Sequence, residues 1–461
     1  MNYKNKYIKY KTKYLEYLKQ NGGTSSKCNK ISNIIKYEDW IKKTINKKHL
    51  ITLHNNSVKN LMIPSDILMK NYHIFNNVIK NKNNVADQKG SGRCWMFAAL
   101  NVIRHKFIND NKLKNSFEFS ENYLFFWDKF ERVNYSLNLL TKLHKKYISL
   151  DSRLIDYLLN EMLSDGGQWQ MFINLIDKYG IVPKSVYPET YHSSNSHEIN
   201  NLINKKLRRY YRDICNNKFD KETVLNEIYM LLIKFFGEPP KSFDWEYENK
   251  DDKYKIKKNY TPQSFYKSIN IDLNDYISFI NDPRNEYNIN YGIKYLNNMI
   301  EGKDIKYLNI PIETMSDLIK KSIDKNEPVY FGCDVGKFHL NKYNLMYDEA
   351  YNFKDLLGID VYLNKKDRLY YLDSKPTHAM AITGYNIDNS IINRWQIENS
   401  WGKRKDEDEY NGYYTMTNDW MKEYVYQVVI NKKYVSNELK KKWNENISTK
   451  FPLWDPFGTL A

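Results

Sequence analysis

Cys94 opens the apolar run Cys94-Trp95-Met96-Phe97-Ala98-Ala99-Leu100, and the residues before it, Gln88-Lys89-Gly90-Ser91-Gly92-Arg93, carry one side-chain amide and two glycines. A cysteine attacks as its thiolate, so it needs a positive environment or an adjacent base. The stretch from Trp95 to Phe107 contains neither Gly nor Pro, which predicts a helix starting at or near Cys94. The unpaired N–H groups and positive dipole end of such a start favour a negative sulfur. Gln88 can bring its amide, together with the Cys94 backbone N–H, to a developing oxyanion. Losing one such donor typically costs roughly 3–4 kcal/mol.

A base and an orienting group follow in the last third of the chain. His378 begins Pro376-Thr377-His378-Ala379-Met380-Ala381-Ile382-Thr383-Gly384, whose small and apolar residues predict a buried strand that delivers the imidazole from its start. Asn399 lies in Gln396-Ile397-Glu398-Asn399-Ser400-Trp401-Gly402. Cys, then His, then Asn is the papain-like order, in which the imidazole activates the thiol and the amide holds its tautomer and orientation. The chemistry is acyl transfer through a thioester. His339 is the rival base, but no Asn-Ser-Trp-Gly segment follows it. Trp401 either covers the His378–Asn399 hydrogen bond or is an ordinary core residue.

Two departures from the secreted papain pattern are informative. That pattern reads Cys-Gly-Ser-Cys-Trp at the nucleophile, whereas this chain has Ser91-Gly92-Arg93-Cys94-Trp95, with a serine where a disulfide cysteine would stand. Its four cysteines, Cys28, Cys94, Cys215 and Cys333, are widely spaced. Such spacing suits neither a disulfide framework nor a zinc site, and points to a reducing, cytoplasmic environment. Cys333 follows the strand signal Pro328-Val329-Tyr330-Phe331-Gly332 and reads as a buried core thiol. The second departure is distance: 378 − 94 = 284 residues separate Cys94 from His378, about twice the usual papain-like spacing of roughly 130–150.

Gln-Lys-x-x-Gly-Arg-Cys-Trp resembles the bleomycin hydrolase and aminopeptidase C family. Glu118 to Lys129, Ser164-Asp165-Gly166-Gly167-Gln168-Trp169, Phe331 to Gly336 and the final Trp454-Asp455-Pro456-Phe457-Gly458-Thr459-Leu460-Ala461 are also similar to it. The resemblance runs from about residue 35 to the end. It implies an α+β fold: a papain-like core of a helical lobe and a β-barrel-like lobe, a large inserted helical domain, and a C-terminal arm in the cleft. On this reading residues 1–34 are a leader and linker, 35–194 the helical lobe with the nucleophile, 195–330 the inserted helical or hook domain, 331–450 the β lobe with His378 and Asn399, and 451–461 the arm.

Composition is compatible with this reading. At 461 residues and 41% hydrophobic, the chain can bury a large core divided into subdomains. No run of eighteen apolar residues occurs, so no membrane-spanning helix is expected, and the Lys/Tyr-rich start does not read as a secretory signal. Tyr3, Tyr7, Tyr10, Tyr14 and Tyr17 recur at alternating spacings of four and three before Asn21-Gly22-Gly23. That pattern predicts a basic amphipathic helix, either a surface leader or a docking segment. From 195 to about 330 the apolar spacing is mostly helical, broken by Pro239-Pro240, Pro262 and Asp282-Pro283.

The resemblance further implies an aminopeptidase acting on peptides with free N-termini and on bleomycin-like amides, assembled as a hexamer. In it the carboxylate of Ala461 anchors the substrate α-amine while the arm's bulk blocks a continuing chain. Gly166 and Gly167 resemble the pair that hydrogen-bonds extended substrate, with a plain turn as the alternative. No cofactor or metal is implied. The net charge of +16 is spread along the chain, so any nucleic-acid binding should be phosphate-driven and indifferent to sequence. A ring-shaped binding scaffold and an endopeptidase using the same residues are the alternative functions. Retention of Gln88, Cys94, His378 and Asn399 favours an enzyme over the scaffold, and the arm favours an aminopeptidase over the endopeptidase.

Overall fold

The computed structural model describes residues 47–69, 72–80, 82–160, 163–403 and 410–459. The expected leader at 1–34 and the terminal Ala461 lie outside the described residues. Helices Lys47–Asn55 and Val58–Leu61 belong to a separate unit ending at Ile63. Every described candidate site residue belongs to the unit that begins at Pro64.

Helix α1, Cys94–Asn111, is the centre of the helical side. Fourteen of its residues, from Cys94 to Ile108, are buried, and a helix apolar on all faces can only sit inside a core. It packs on α2, Glu121–Lys145, and α3, Trp169–Tyr179. Helix α2 starts where Ser120 Oγ accepts the Tyr123 N–H at 3.0 Å, a side-chain N-cap. Helix α3 ends at Gly180, whose φ of 69° suits a residue without Cβ. Helices α4, His197–Cys215, and α5, Lys221–Phe236, cover the remaining face of α2.

Between residues 195 and 330 the helices share the chain with strands. A hairpin of β2, Phe243–Glu248, and β3, Tyr254–Tyr260, stands as its own two-stranded sheet. Strands β4, Tyr276–Ile280, β5, Asn290–Ile293, and β6, Lys306–Asn309, instead join the central sheet. Helix α6, Ile312–Asp324, then packs on that sheet. Short buried strands are apolar on both faces and lack the alternation that distinguishes a strand from a helix in sequence.

The central sheet runs from β14, Thr449–Phe451, through β5, β6 and β4 to four middle strands, and on through β12, Tyr413–Thr417, and β9, Leu345–Met346, to β8, His339–Leu340, with β1, Asn77–Val78, beside the third middle strand. Its middle is β13, Val425–Asn431, β7, Val329–Cys333, β10, His378–Asp388, and β11, Ile391–Glu398. Alternation along these strands divides two cores. Ala379, Ala381, Tyr330 and Tyr426 join the helical cluster, while Met380, Ile382, Phe331 and Ile397 join the cluster under α6 and α7, Asn418–Tyr424. The small Ala379 and Ala381 let α1 lie close on β10. The β7–β10 register pairs His378 with Cys333 and Ala381 with Tyr330, so the imidazole stands at the first residue of a strand locked on both sides.

Candidate active site

Cys94 is the first residue of α1, and Arg93 before it has φ −88° and ψ 17° with no side-chain cap. The turn into the helix is anchored by Asp165. Its carboxylate accepts the Gly92 N–H at 3.0 Å, and its carbonyl accepts the Trp95 indole N–H at 2.7 Å. Lys129 and Asn200 donate to the same carboxylate, each at 2.6 Å, and Ser196 adds a further hydrogen bond. Burial opposes the charge on Asp165, but Lys129 and these donors hold its carboxyl well below the usual carboxylate range. A Cβ on Gly92 would lie 2.9 Å from the Asp165 Cβ, so that approach requires glycine.

Gln88 is fixed from both ends of its amide. Ser400 Oγ donates to Gln88 Oε1 at 2.7 Å, and Gln88 Nε2 donates to the Ser91 carbonyl at 2.7 Å. Its backbone N–H donates to the Ser400 carbonyl at 2.8 Å. One N–H of the side chain has no protein partner among the described residues and can serve an incoming oxyanion.

His378 Nε2 lies 2.9 Å from Asn399 Oδ1, and the Ser400 backbone N–H donates to the same oxygen at 2.8 Å. A backbone N–H can only donate, so this atom of Asn399 is an acceptor. Nε2 therefore carries the imidazole proton in the neutral ring, and Nδ1 is left as the basic nitrogen. The Trp401 ring centroid is 4.9 Å from that of His378 at 34°. His339 packs on the same indole at 5.8 Å.

The backbone N–H groups of Ala379, Trp95 and Cys94 itself favour the thiolate form of Cys94. Cys94 is only 3% exposed. Burial pushes its thiol up to about 11 despite those N–H groups, so the helix start alone does not make the thiolate stable. Desolvation outweighs the dipole here, an effect invisible in the sequence. Burial likewise pulls His378 down to about 4, against the hydrogen bond to Asn399. The two groups together hold one proton across the range between those values. A proton moved from sulfur to imidazole conserves the net charge of the buried pair.

Cys333 is fully buried, and burial pushes its thiol well up. Gly166 lines a cavity of about 240 Å³ that also touches Leu453, Gly458 and Thr459, and its carbonyl accepts from Arg132 at 2.6 Å. A Cβ on Gly167 would meet the Trp95 ring at 2.4 Å. Gln168 Nε2 donates to the Thr459 carbonyl at 2.8 Å, which brings the last described residue beside this segment. Among the described residues no cluster of His, Cys, Asp and Glu could hold a metal, and no helix is long and apolar enough to cross a membrane. Sequence reading missed Ser91, Asp165, Glu189 and Ser400 as parts of the site. Ser91 and Ser400 stand inside the very motifs already singled out, but only the fold brings them together.

The description of the Peptidase C1-like family matches residues 30–458. The chain belongs to that family. Aminopeptidase C of Listeria monocytogenes is 42% identical over 387 residues, covering 82% of this chain and 86% of its own. Bleomycin hydrolase of Mus musculus is 37% identical over 410 residues, covering 84% and 89%. The crystal structure of PepW from Lactobacillus rhamnosis matches with a TM-score of 0.89 at 36% identity, over 95% of this chain and 100% of that one. The α+β papain-like fold expected from the motifs is the fold of this Peptidase C1-like chain.

Proposed function

We propose that this chain is a papain-like cysteine aminopeptidase that removes residues from peptide N-termini. The relatives named aminopeptidase C and bleomycin hydrolase support the activity. The observation that carries the assignment of roles is the double use of Asn399 Oδ1, which leaves His378 Nδ1 as the base. His378 takes the Cys94 proton as the sulfur attacks the scissile carbonyl carbon. The oxygen becomes an oxyanion facing Gln88 Nε2 and the Cys94 N–H. The C–N bond then breaks, the amine leaves with the proton from His378, and a thioester remains. His378 next deprotonates a water that attacks the thioester, and Cys94 recovers the proton as the acid departs.

Gly166 and Gly167 hold the extended substrate backbone in this reading, Trp401 shields the His378–Asn399 bond, and the Ala461 carboxylate anchors the free α-amine. Bleomycin-like amides fit the same site. A reducing cytoplasm, a hexameric assembly and independence of metals or organic cofactors complete the proposal. The net charge of +16 supports only salt-sensitive contacts to nucleic-acid phosphates.

The test is hydrolysis of aminoacyl fluorogenic amides with free or N-acetylated amines. Free-amine substrates should be cleaved by the intact enzyme and not by Cys94→Ser. Equal cleavage of blocked substrates would remove the aminopeptidase assignment and favour the endopeptidase. Deleting Ala461 should shift the cleavage position.

A further inference from the structure

Arg93 precedes the nucleophile and is fully buried. Its guanidinium meets Glu189 in a fork, Nη1 to Oε1 and Nη2 to Oε2, both at 2.9 Å. Its Nε donates to Ser91 Oγ at 2.8 Å, and its plane rests 5.1 Å from the Phe97 centroid and 5.0 Å from that of Phe125. Ser91 Oγ donates in turn to the Gln88 carbonyl at 2.7 Å, while the Ser91 carbonyl holds Gln88 Nε2. Glu189 is itself held by Ser193 Oγ at 2.5 Å. The hydrogen bonds thus run from Glu189 through Arg93 to the Ser91 hydroxyl and on to the Gln88 backbone carbonyl, and the backbone of the same Ser91 holds the side-chain amide of Gln88.

We infer that the Arg93–Glu189 pair is a positioning device for the oxyanion donors, acting through Ser91 on Gln88 and through its own backbone on the Cys94 N–H. This rests on the aminopeptidase reading. The pair does not act as a charge on the thiol. Glu189 neutralises the guanidinium: burial opposes its ionisation, but Arg93 and Ser193 hold its carboxyl below the ordinary value. What the site uses is shape. A guanidinium supplies two parallel donors to a carboxylate and a third at Nε in one plane, which a lysine ammonium cannot. An unpaired carboxylate or guanidinium left at this depth is strongly disfavoured, so the turn has one arrangement.

The test compares Arg93→Lys and Ser91→Ala with wild type and Gln88→Ala, all assayed on a free-amine aminoacyl amide and normalised to the iodoacetamide-titratable Cys94. Alkylation forms no oxyanion, so it reports on the thiol and imidazole alone. Both variants should lose on the order of tenfold to several hundredfold in kcat per titrated thiol, as for one oxyanion donor. KM and the alkylation rate should stay within about threefold. Adding Arg93→Lys to Gln88→Ala should produce little further loss, the signature of two residues acting on one event. Unchanged kcat per thiol in Ser91→Ala, losses that multiply in the double variant, or alkylation falling in step with kcat would each overturn the inference. Ser91→Ala retains the buried ion pair, so it stands in should Arg93→Lys fail to fold. Full activity of Gln88→Ala would overturn the oxyanion role on which the inference rests, whereas a wild type inert on amine substrates would instead defeat the aminopeptidase reading itself.

Discussion

Ser400 Oγ reaches across 312 positions of sequence to donate to Gln88 Oε1 at 2.7 Å. Through this bond the segment carrying Asn399 also orients the amide proposed to face the oxyanion. Ser400→Ala should therefore lower kcat by about fivefold, the scale of one neutral hydrogen bond of roughly 1 kcal/mol, with KM little changed. Steady-state kinetics per titrated thiol measures it.

His378→Ala should abolish acyl transfer by roughly 10²–10⁴-fold, the range for a positioned acid–base group. Asn399→Ala should lose less, since the imidazole remains but its tautomer and rotation are free. An equal loss in both would mean that Asn399 does more than orient the ring. Single-turnover acylation rates separate the two.

Because burial lowers His378 to about 4 and raises Cys94 to about 11, the singly protonated pair should persist over a wide span. The acid limb of Cys94 alkylation should fall below the ordinary histidine value of 6.5. An inactivation rate measured against pH tests this. A limb at or above 6.5 would contradict it.

Glu121 is 1% exposed, and burial raises its carboxyl to about 8, with Lys184 opposing and Glu118 and Glu189 adding to the shift. The folded state then holds a proton that the unfolded state releases above 4.5. Stability should decline as pH rises through this window, with a limiting slope of about 1.4 kcal/mol per unit. Glu121→Gln should flatten the dependence and raise Tm near pH 8, as measured by thermal melts across the range.

Gly167→Ala should destabilise the fold by about 1–3 kcal/mol, because its Cβ would meet the Trp95 ring at 2.4 Å. Chemical denaturation would show the loss. A neutral outcome would mean that the indole can retreat without releasing its bond to the Asp165 carbonyl.

The helix at Cys94 was legible because an apolar run without Gly or Pro follows Arg93, and β10 because small and apolar residues follow His378. Strands β4 to β6 were not, since buried strands of four or five residues look like pieces of an apolar helix. Serine is too common for Ser91 or Ser400 to signal a role from type alone, and the carboxylates of Asp165 and Glu189 meet Gly92 and Arg93 across 73 and 96 positions.

By itself the sequence determined the reaction class and its order of parts: a thiol, an imidazole and an amide within motifs whose spacing and residue types suit acyl transfer. Tertiary structure decided their protonation and aim. Burial sets the Cys94 and His378 proton affinities, because desolvation depends on what surrounds a group and not on its neighbours in the chain. Closure of the fold brings Ser400 to Gln88 and Glu189 to Arg93, and hydrogen bonds of under 3 Å exist only once distant segments are held in register.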